Sequence, residues 1–198
     1  MATAERDEVI VLDDVRTIPG VHPSAIVEAG AVIGPATRVW HRSHVRSGSV
    51  IGAGCTIGFS VYVDADAVVG DRCKIQNHAS IFRGVTLEDD VFVGPFVAFT
   101  NDLYPRAFSE SWEILPTVVR RGASIGANAT IRCGVEIGEY AMVACGTVVT
   151  HDVPAHALVV GVPGEVQAWV CACGRPLGRV DQQLPEVCTT CGAPAPPL

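Results

Sequence analysis

Four cysteines near the end of this 198-residue chain carry the sharpest chemical signal. They fall as Cys171-x-Cys173 and Cys188-x-x-Cys191, each second cysteine followed by glycine, with fourteen residues between the pairs. Four thiolates so spaced suit a tetrahedral zinc ion in a closed, structural site. The same set would also hold iron, or serve without metal as a redox pair. A second polar group lies in the run TNDLYPRAFSESWEILPT, from Thr100 to Thr117. There Asn101 offers a carbonyl acceptor and an amide donor, and Asp102 a carboxylate, with Tyr104 and Arg106 close behind. An Asn-Asp pair is equally a turn that bonds its own backbone. Histidines make a third group: His78 in IQNHASI, and His41 and His44 flanking Arg42 in WHRSH. Histidine titrates near neutrality and can act as a general base, worth about 10²–10⁴ in rate, or it can form a polar corner.

The elements that position these groups are set by a period of six. Aliphatic or aromatic anchors recur without interruption from Val21 through Val27, Ile33 and Val39 to Phe99. A second series runs from Val119 through Ile125, Ile131, Ile137 and Val143 to Val149. Four positions after each anchor the residue is usually small or β-branched, as at Ala25, Thr37, Cys55 and Cys73. A helix repeats every 3.6 residues and a strand every 2, so a strict six is neither alone. It predicts an all-β parallel β-helix, three hexads to a triangular coil, stacking each residue on the one eighteen further on, as Cys55 on Cys73. Phe99 and Val119 are twenty apart, which is not a multiple of six, so the segment between leaves the coil as a loop. Loops on a rigid repeat scaffold are common seats for binding groups.

Three regions follow: an N-terminal extension at 1–19, the coil at 20–165 with its loop at 100–118, and a cysteine segment and tail at 166–198. Within the extension, Val9 to Leu12 can form a strand against the first coil, and the final APAPPL reads as a disordered tail. Twenty glycines suit tight corners needing positive φ. A net charge of −7 argues against nucleic-acid binding. No apolar run spans a membrane and no signal-peptide pattern opens the chain, which reads as cytoplasmic. Cys133 and Cys145 each follow an anchor by two and need no special chemistry.

Several segments together resemble one family. They are VWHRSHV at 39–45, CKIQNHASIFRGVTLEDDVFVGPFVAFTND at 73–102, PRA at 105–107, VVRRGASIGANATIRCGVEIG at 118–138 and VVTHDVPAHALVVGVPG at 148–164. These resemble the left-handed β-helix N-acetyltransferases that acetylate the 3-amino group of nucleotide-linked sugars. Members act on UDP-2-acetamido-3-amino-2,3-dideoxyglucuronate or on dTDP-3-amino-3,6-dideoxyhexoses. The hexads are shared widely; the IQN-to-FTND-to-PR block is the specific part.

The resemblance implies left-handed coils, a homotrimer with clefts between subunits, acetyl-CoA as acetyl donor and a nucleotide-sugar as acceptor. It assigns Asn101 to the reacting amine and Asn77 to the substrate, with the departing CoA thiolate taking the proton. Asp102 would accept a second amine hydrogen or bind the sugar. His78 stands where relatives carry a second asparagine, as a base or as a substrate-facing or interface residue. His41 would face the nucleotide or form a coil corner, and Gln76 a corner bond. Arg106 or Arg83 would meet a sugar carboxylate. Pantetheine pairs with backbone amides where small residues permit close approach: Gly122, Ala123, Gly126, Ala127, Ala141 and Gly146. Arg121 and Arg120 would meet its phosphates. Two alternatives remain open: O-acetylation with His78 as base, and a non-catalytic trimeric scaffold or nucleotide-sugar binder. A three-histidine zinc enzyme of the γ-carbonic anhydrase type needs more than His151 and His156.

Overall fold

The computed structural model describes residues 10–11, 20–109 and 113–197, and these contain strands, turns and loops but no helix. Each hexad contributes a strand of two residues, rarely three, whose last residue is the inward anchor. Three parallel faces result. The first stacks Ile26–Val27, His44–Val45, Tyr62–Val63, Ser80–Ile81, Ala98–Phe99, Thr130–Ile131 and Val148–Val149. The second begins its parallel stack at Val32–Ile33 and ends at Glu136–Ile137; the third runs from Arg38–Val39 to Ala157–Val160. The register is the expected one: Val27 lies on Val45, Val45 on Val63 and Val63 on Ile81, eighteen residues per step. After the excursion Ala98 lies on Thr130, thirty-two residues on, so the loop inserts fourteen residues into one coil.

The core is a column of anchors and small residues. Ile57, Ile75, Ile125 and Ile131 are wholly buried, with Cys55 and Cys73 in the small inward slots as expected. Each coil's faces are covered by its neighbours, which is how a solenoid reaches stability without long-range packing.

The corners meet the expectation in part, eleven of the twenty glycines having positive φ. Positive φ recurs at the turns between strands, and eleven non-glycine residues among those described adopt it, including Arg42, His78 and Phe96. Many glycines instead stand directly after an anchor, for a different reason. A Cβ on Gly126 would lie 2.6 Å from the backbone nitrogen of Cys145 in the next coil. There glycine permits close stacking rather than a special dihedral angle.

Both ends of the coil are covered. Ile10–Val11 pairs antiparallel with Val32–Ile33, and the flanking residues of the Val9 to Leu12 run lie outside the described residues. Glu165–Val170 pairs antiparallel with Ala157–Val160, extending the third face beyond the last parallel strand. Pro176–Arg179 adds a further strand. The tail is not free at its start. Cys188 donates its N–H to the Ala193 carbonyl and Ala195 donates to that of Glu186, because a turn brings the two stretches side by side. No described helix is long and apolar enough to cross a membrane.

Candidate active site

The triangular coil has three edges, and the candidate residues distribute among them by register. The edge between the third and first faces carries a ladder of rings. His41 lies 5.0 Å from His22 and 4.9 Å from Phe59 between ring centroids. His78 lies 5.0 Å from Phe59 and 4.8 Å from Phe96, stacked on the latter at 13°. Beside the ladder is a cavity of about 400 Å³ lined by Trp40, His41, Thr56, Phe59, Gln76 and Asn77. Trp40 is 47% exposed at its rim. Asn77 ties two coils together, since its side-chain oxygen accepts the Phe59 N–H at 2.9 Å, which leaves its NH₂ to donate. Among the described residues none bonds the Gln76 side-chain amide or the His78 ring nitrogens. A general base is normally oriented by a further group, and His78 has ring neighbours in that place.

The edge between the first and second faces carries the loop. Its two ends are pinned by hydroxyls: Thr100 accepts the Cys133 N–H at 2.9 Å and Thr117 accepts the Gly134 N–H at 3.2 Å. Leu115, on the returning stretch of the loop, packs near Gly134. Asn101 emerges directly after Thr100, half-buried. Asp102 accepts the Tyr104 N–H at 2.9 Å, which is the turn reading of that pair. Arg106 is exposed and bonds the Pro105 carbonyl, whereas Arg83 is paired with Asp66 at 2.7 Å. His44 holds Glu28 at 2.8 Å from a strand of the first face, so it stands on a face rather than at a corner.

Sequence reasoning missed Arg132. By register it lies one coil below Thr100, beside the loop's base, and its Nε is buried without a partner. Following an anchor by one residue, it reads in the sequence as any outward polar residue.

The third edge, between the second and third faces, is an ion-pair edge. Arg120 bonds Glu88 at 2.8 Å and Glu136 at 2.6 Å, and Arg72 bonds Asp89 and Asp90 at 3.0 and 2.8 Å. These guanidiniums hold Glu136 and Asp90 below the usual carboxylate range. A hollow of about 700 Å³ lies here among Glu88, Arg120, Glu136, Glu139 and Asp152, with four acids to one guanidinium. Its acidity suits neither a sugar nucleotide nor a CoA phosphate, so its size does not make it the site.

This distribution corrects part of the expected CoA lining. Ala123 and Ala141 are buried inside the coil at 0% and 1% exposure, since their places in the hexad point inward. Gly122 and Arg121 are on the ion-pair edge. The Arg121 N–H is taken by Glu88, and a side chain at Gly122 would meet the Tyr140 ring. Gly126, Ala127 and Gly146 do share the ring edge, below His78 and Phe96. Within one chain, His78 and Asn77 lie on the ring edge and Asn101 on the loop edge, with the first face between them.

The cysteine pairs do come together. The four Sγ atoms lie within 4.8 Å of one another, with Cys171 to Cys191 at 3.6 Å and Cys173 to Cys188 at 3.8 Å. Among the described residues no other trio of histidine, cysteine or carboxylate groups forms such a cluster, and His151 and His156 do not join one. Backbone N–H groups of Cys191 and Thr190 draw the Cys188 thiol down to about 6.

The chain matches the bacterial transferase hexapeptide (six repeats) family at residues 30–65, 48–83 and 116–151. It is similar to a dTDP-3-amino-3,6-dideoxy-alpha-D-galactopyranose 3-N-acetyltransferase of Aneurinibacillus thermoaerophilus, 42% identical over 67 residues. That match covers 34% of this chain and about a third, 35%, of the relative's length. Among solved structures, a hexapeptide-repeat acetyltransferase of Vibrio cholerae, complexed with acetyl coenzyme A, is similar over 58% of this chain and 70% of its own. Its TM-score is 0.50 and its identity 26%. A galactoside acetyltransferase complexed with coenzyme A shares the fold, with a TM-score of 0.56, 21% identity, and coverage of 63% and 66%. Eighteen-residue coils stack on three faces and the hexapeptide repeat is matched on both sides of the loop, so the chain carries that repeat on a parallel β-helix.

Proposed function

We propose that this protein transfers an acetyl group from acetyl-CoA to the 3-amino group of a nucleotide-linked sugar. The observation that carries the reading is the 42% identity to an enzyme named for that reaction on a dTDP-linked sugar. The ring edge supports it. Its cavity has the composition of a nucleotide pocket, with Trp40 and His41 as faces on which a base stacks. The unpartnered Gln76 amide is both donor and acceptor for a base edge. Coenzyme A follows the same edge downward, past Gly126, Ala127 and Gly146, where small residues let pantetheine approach backbone amides.

In the reaction the neutral amine attacks the thioester carbonyl, a C–N bond forms and the C–S bond breaks. The amine proton passes to the departing thiolate. Asn101 orients the amine by accepting one of its hydrogens, and the NH₂ of Asn77 holds the sugar. Asn101 reaches the ring edge from a neighbouring copy, because the first face separates the two within one chain. A homotrimer supplies that neighbour through a closed ring. Arg132, beside the loop's base, is the cation that meets an anionic group of the substrate. The four-cysteine cluster takes no part in this chemistry and has a structural part.

The test is acetyl-CoA turnover, followed as free thiol, against dTDP- and UDP-linked 3-amino sugars with and without a C6 carboxylate. Turnover with one of these sugars and no turnover with its 3-hydroxy counterpart is expected. Turnover only with the hydroxyl sugar would replace the reading with O-acetylation. Silence with all of them, together with no CoA binding, would leave a scaffold protein.

A further inference from the structure

We infer that Cys171, Cys173, Cys188 and Cys191 hold one zinc ion, and that this ion, rather than an apolar core, folds the C-terminal segment and fixes it over the end of the β-helix.

The geometry of the thiols is the first support. Zinc–sulfur bonds of about 2.3 Å in a tetrahedron place sulfurs about 3.8 Å apart. The observed 3.6 and 3.8 Å match that edge, with all four sulfurs within 4.8 Å. A disulfide needs about 2.05 Å, and all four thiols are free. Each cysteine pair also sits in its own tight turn. The Cys171 carbonyl accepts the Gly174 N–H at 2.8 Å and the Cys188 carbonyl accepts the Gly192 N–H at 2.9 Å, with φ of +83° and +75° at the two glycines. The two turns bring four thiols together as a closed cage with no open position, the form of a structural site.

The second support is what the segment lacks. From residue 171 onward, the only buried apolar or cysteine side chains among the described residues are Cys171 and Cys188. Val180 and Val187 are 50% and 51% exposed. A stretch this short, without a core, does not fold unless cross-linked by disulfide or metal. It is nonetheless ordered into a strand at Pro176–Arg179 and a bridge between Val187 and Pro194. Its attachment is specific too. Val170, adjoining the first cysteine turn, is wholly buried; its N–H donates to the His156 carbonyl and its own carbonyl meets the His156 ring at 3.0 Å. Gly174 lies near the Met142 side chain on the third face. The ion therefore secures Glu165–Val170 as the covering strand over what would be an open sheet edge.

The experiment uses the full chain purified under reducing conditions. Elemental analysis is expected to find one zinc per chain, released by a thiol-modifying reagent and replaceable by Co²⁺ with the absorption bands of a tetrahedral thiolate site. Removing the metal should raise amide exchange in 165–197 and open 174–187 to protease, while the coils stay protected. Cys188→Ser should lose metal with the same local effect. Iron in place of zinc, or a chain that neither carries nor takes up zinc while its thiols are reduced, would overturn the assignment. Unchanged exchange after metal removal would overturn the folding role. None of these outcomes depends on acetyl transfer.

Discussion

His78 is a ring in a stack before it is a base. Sandwiched between Phe59 and Phe96, with no hydrogen-bond partner among the described residues to fix its tautomer, it is poorly equipped to withdraw a proton. His78→Asn should therefore keep kcat/KM within about tenfold of the parent, whereas Asn101→Ala should lose about 10²-fold through misplacement of the amine. A loss of about 10²–10⁴ in His78→Asn would make it the base and point to an alcohol acceptor. The sequence made these residues visible but not their partners. Asn77 reads there as a substrate contact, yet its oxygen is spent on the Phe59 N–H one coil away. Arg132 is silent in sequence because its isolation arises from three-dimensional neighbours. Ala123 and Ala141 could have been placed inside from the hexad alone; their small size suggested a ligand instead.

At the scale of the coil, the six-residue period carried nearly everything: strand positions, register, the inward cysteines and the extent of the loop. It did not tell why the glycines are there. Two kinds of glycine predict two kinds of effect. Gly126→Ala forces a methyl to within 2.6 Å of the next coil's backbone and should destabilise by about 1–3 kcal/mol, as overpacking does. Gly146→Ala meets nothing within 4 Å but has φ of +69°, and should cost about 1 kcal/mol. Thermal unfolding of the two variants measures both, and equal effects would contradict the distinction. The ion-pair edge makes a prediction of sign. Glu136 and Asp90 are held below their ordinary values by Arg120 and Arg72, so their contribution is present above the unfolded carboxylate range. It is lost as pH falls through the lower folded values. The melting temperature should then drop below about pH 4, and less so in Arg72→Ala. These pairs are exposed, so the drop should be small and should shrink with salt.

At the scale of the molecule, one chain holds the parts of the site on separate edges. The ring edge carries the cavity, Asn77 and the small residues below it; the loop edge carries Asn101 and Arg132. The proposed assembly answers this separation, and neither handedness nor subunit number could be drawn from the hexads. The most direct test of a site shared between copies is complementation. Asn101→Ala damages the loop, and Cys145→Trp blocks the ring edge at an exposed corner. Each variant alone should be nearly inactive. Co-expressed in equal amounts and purified as mixed oligomers, they should recover roughly a quarter of parental turnover, the share of interfaces that pair an intact edge with an intact loop in a randomly mixed closed ring. Mixed oligomers no more active than either variant alone would contradict the account, placing all the groups that act on substrate within a single chain.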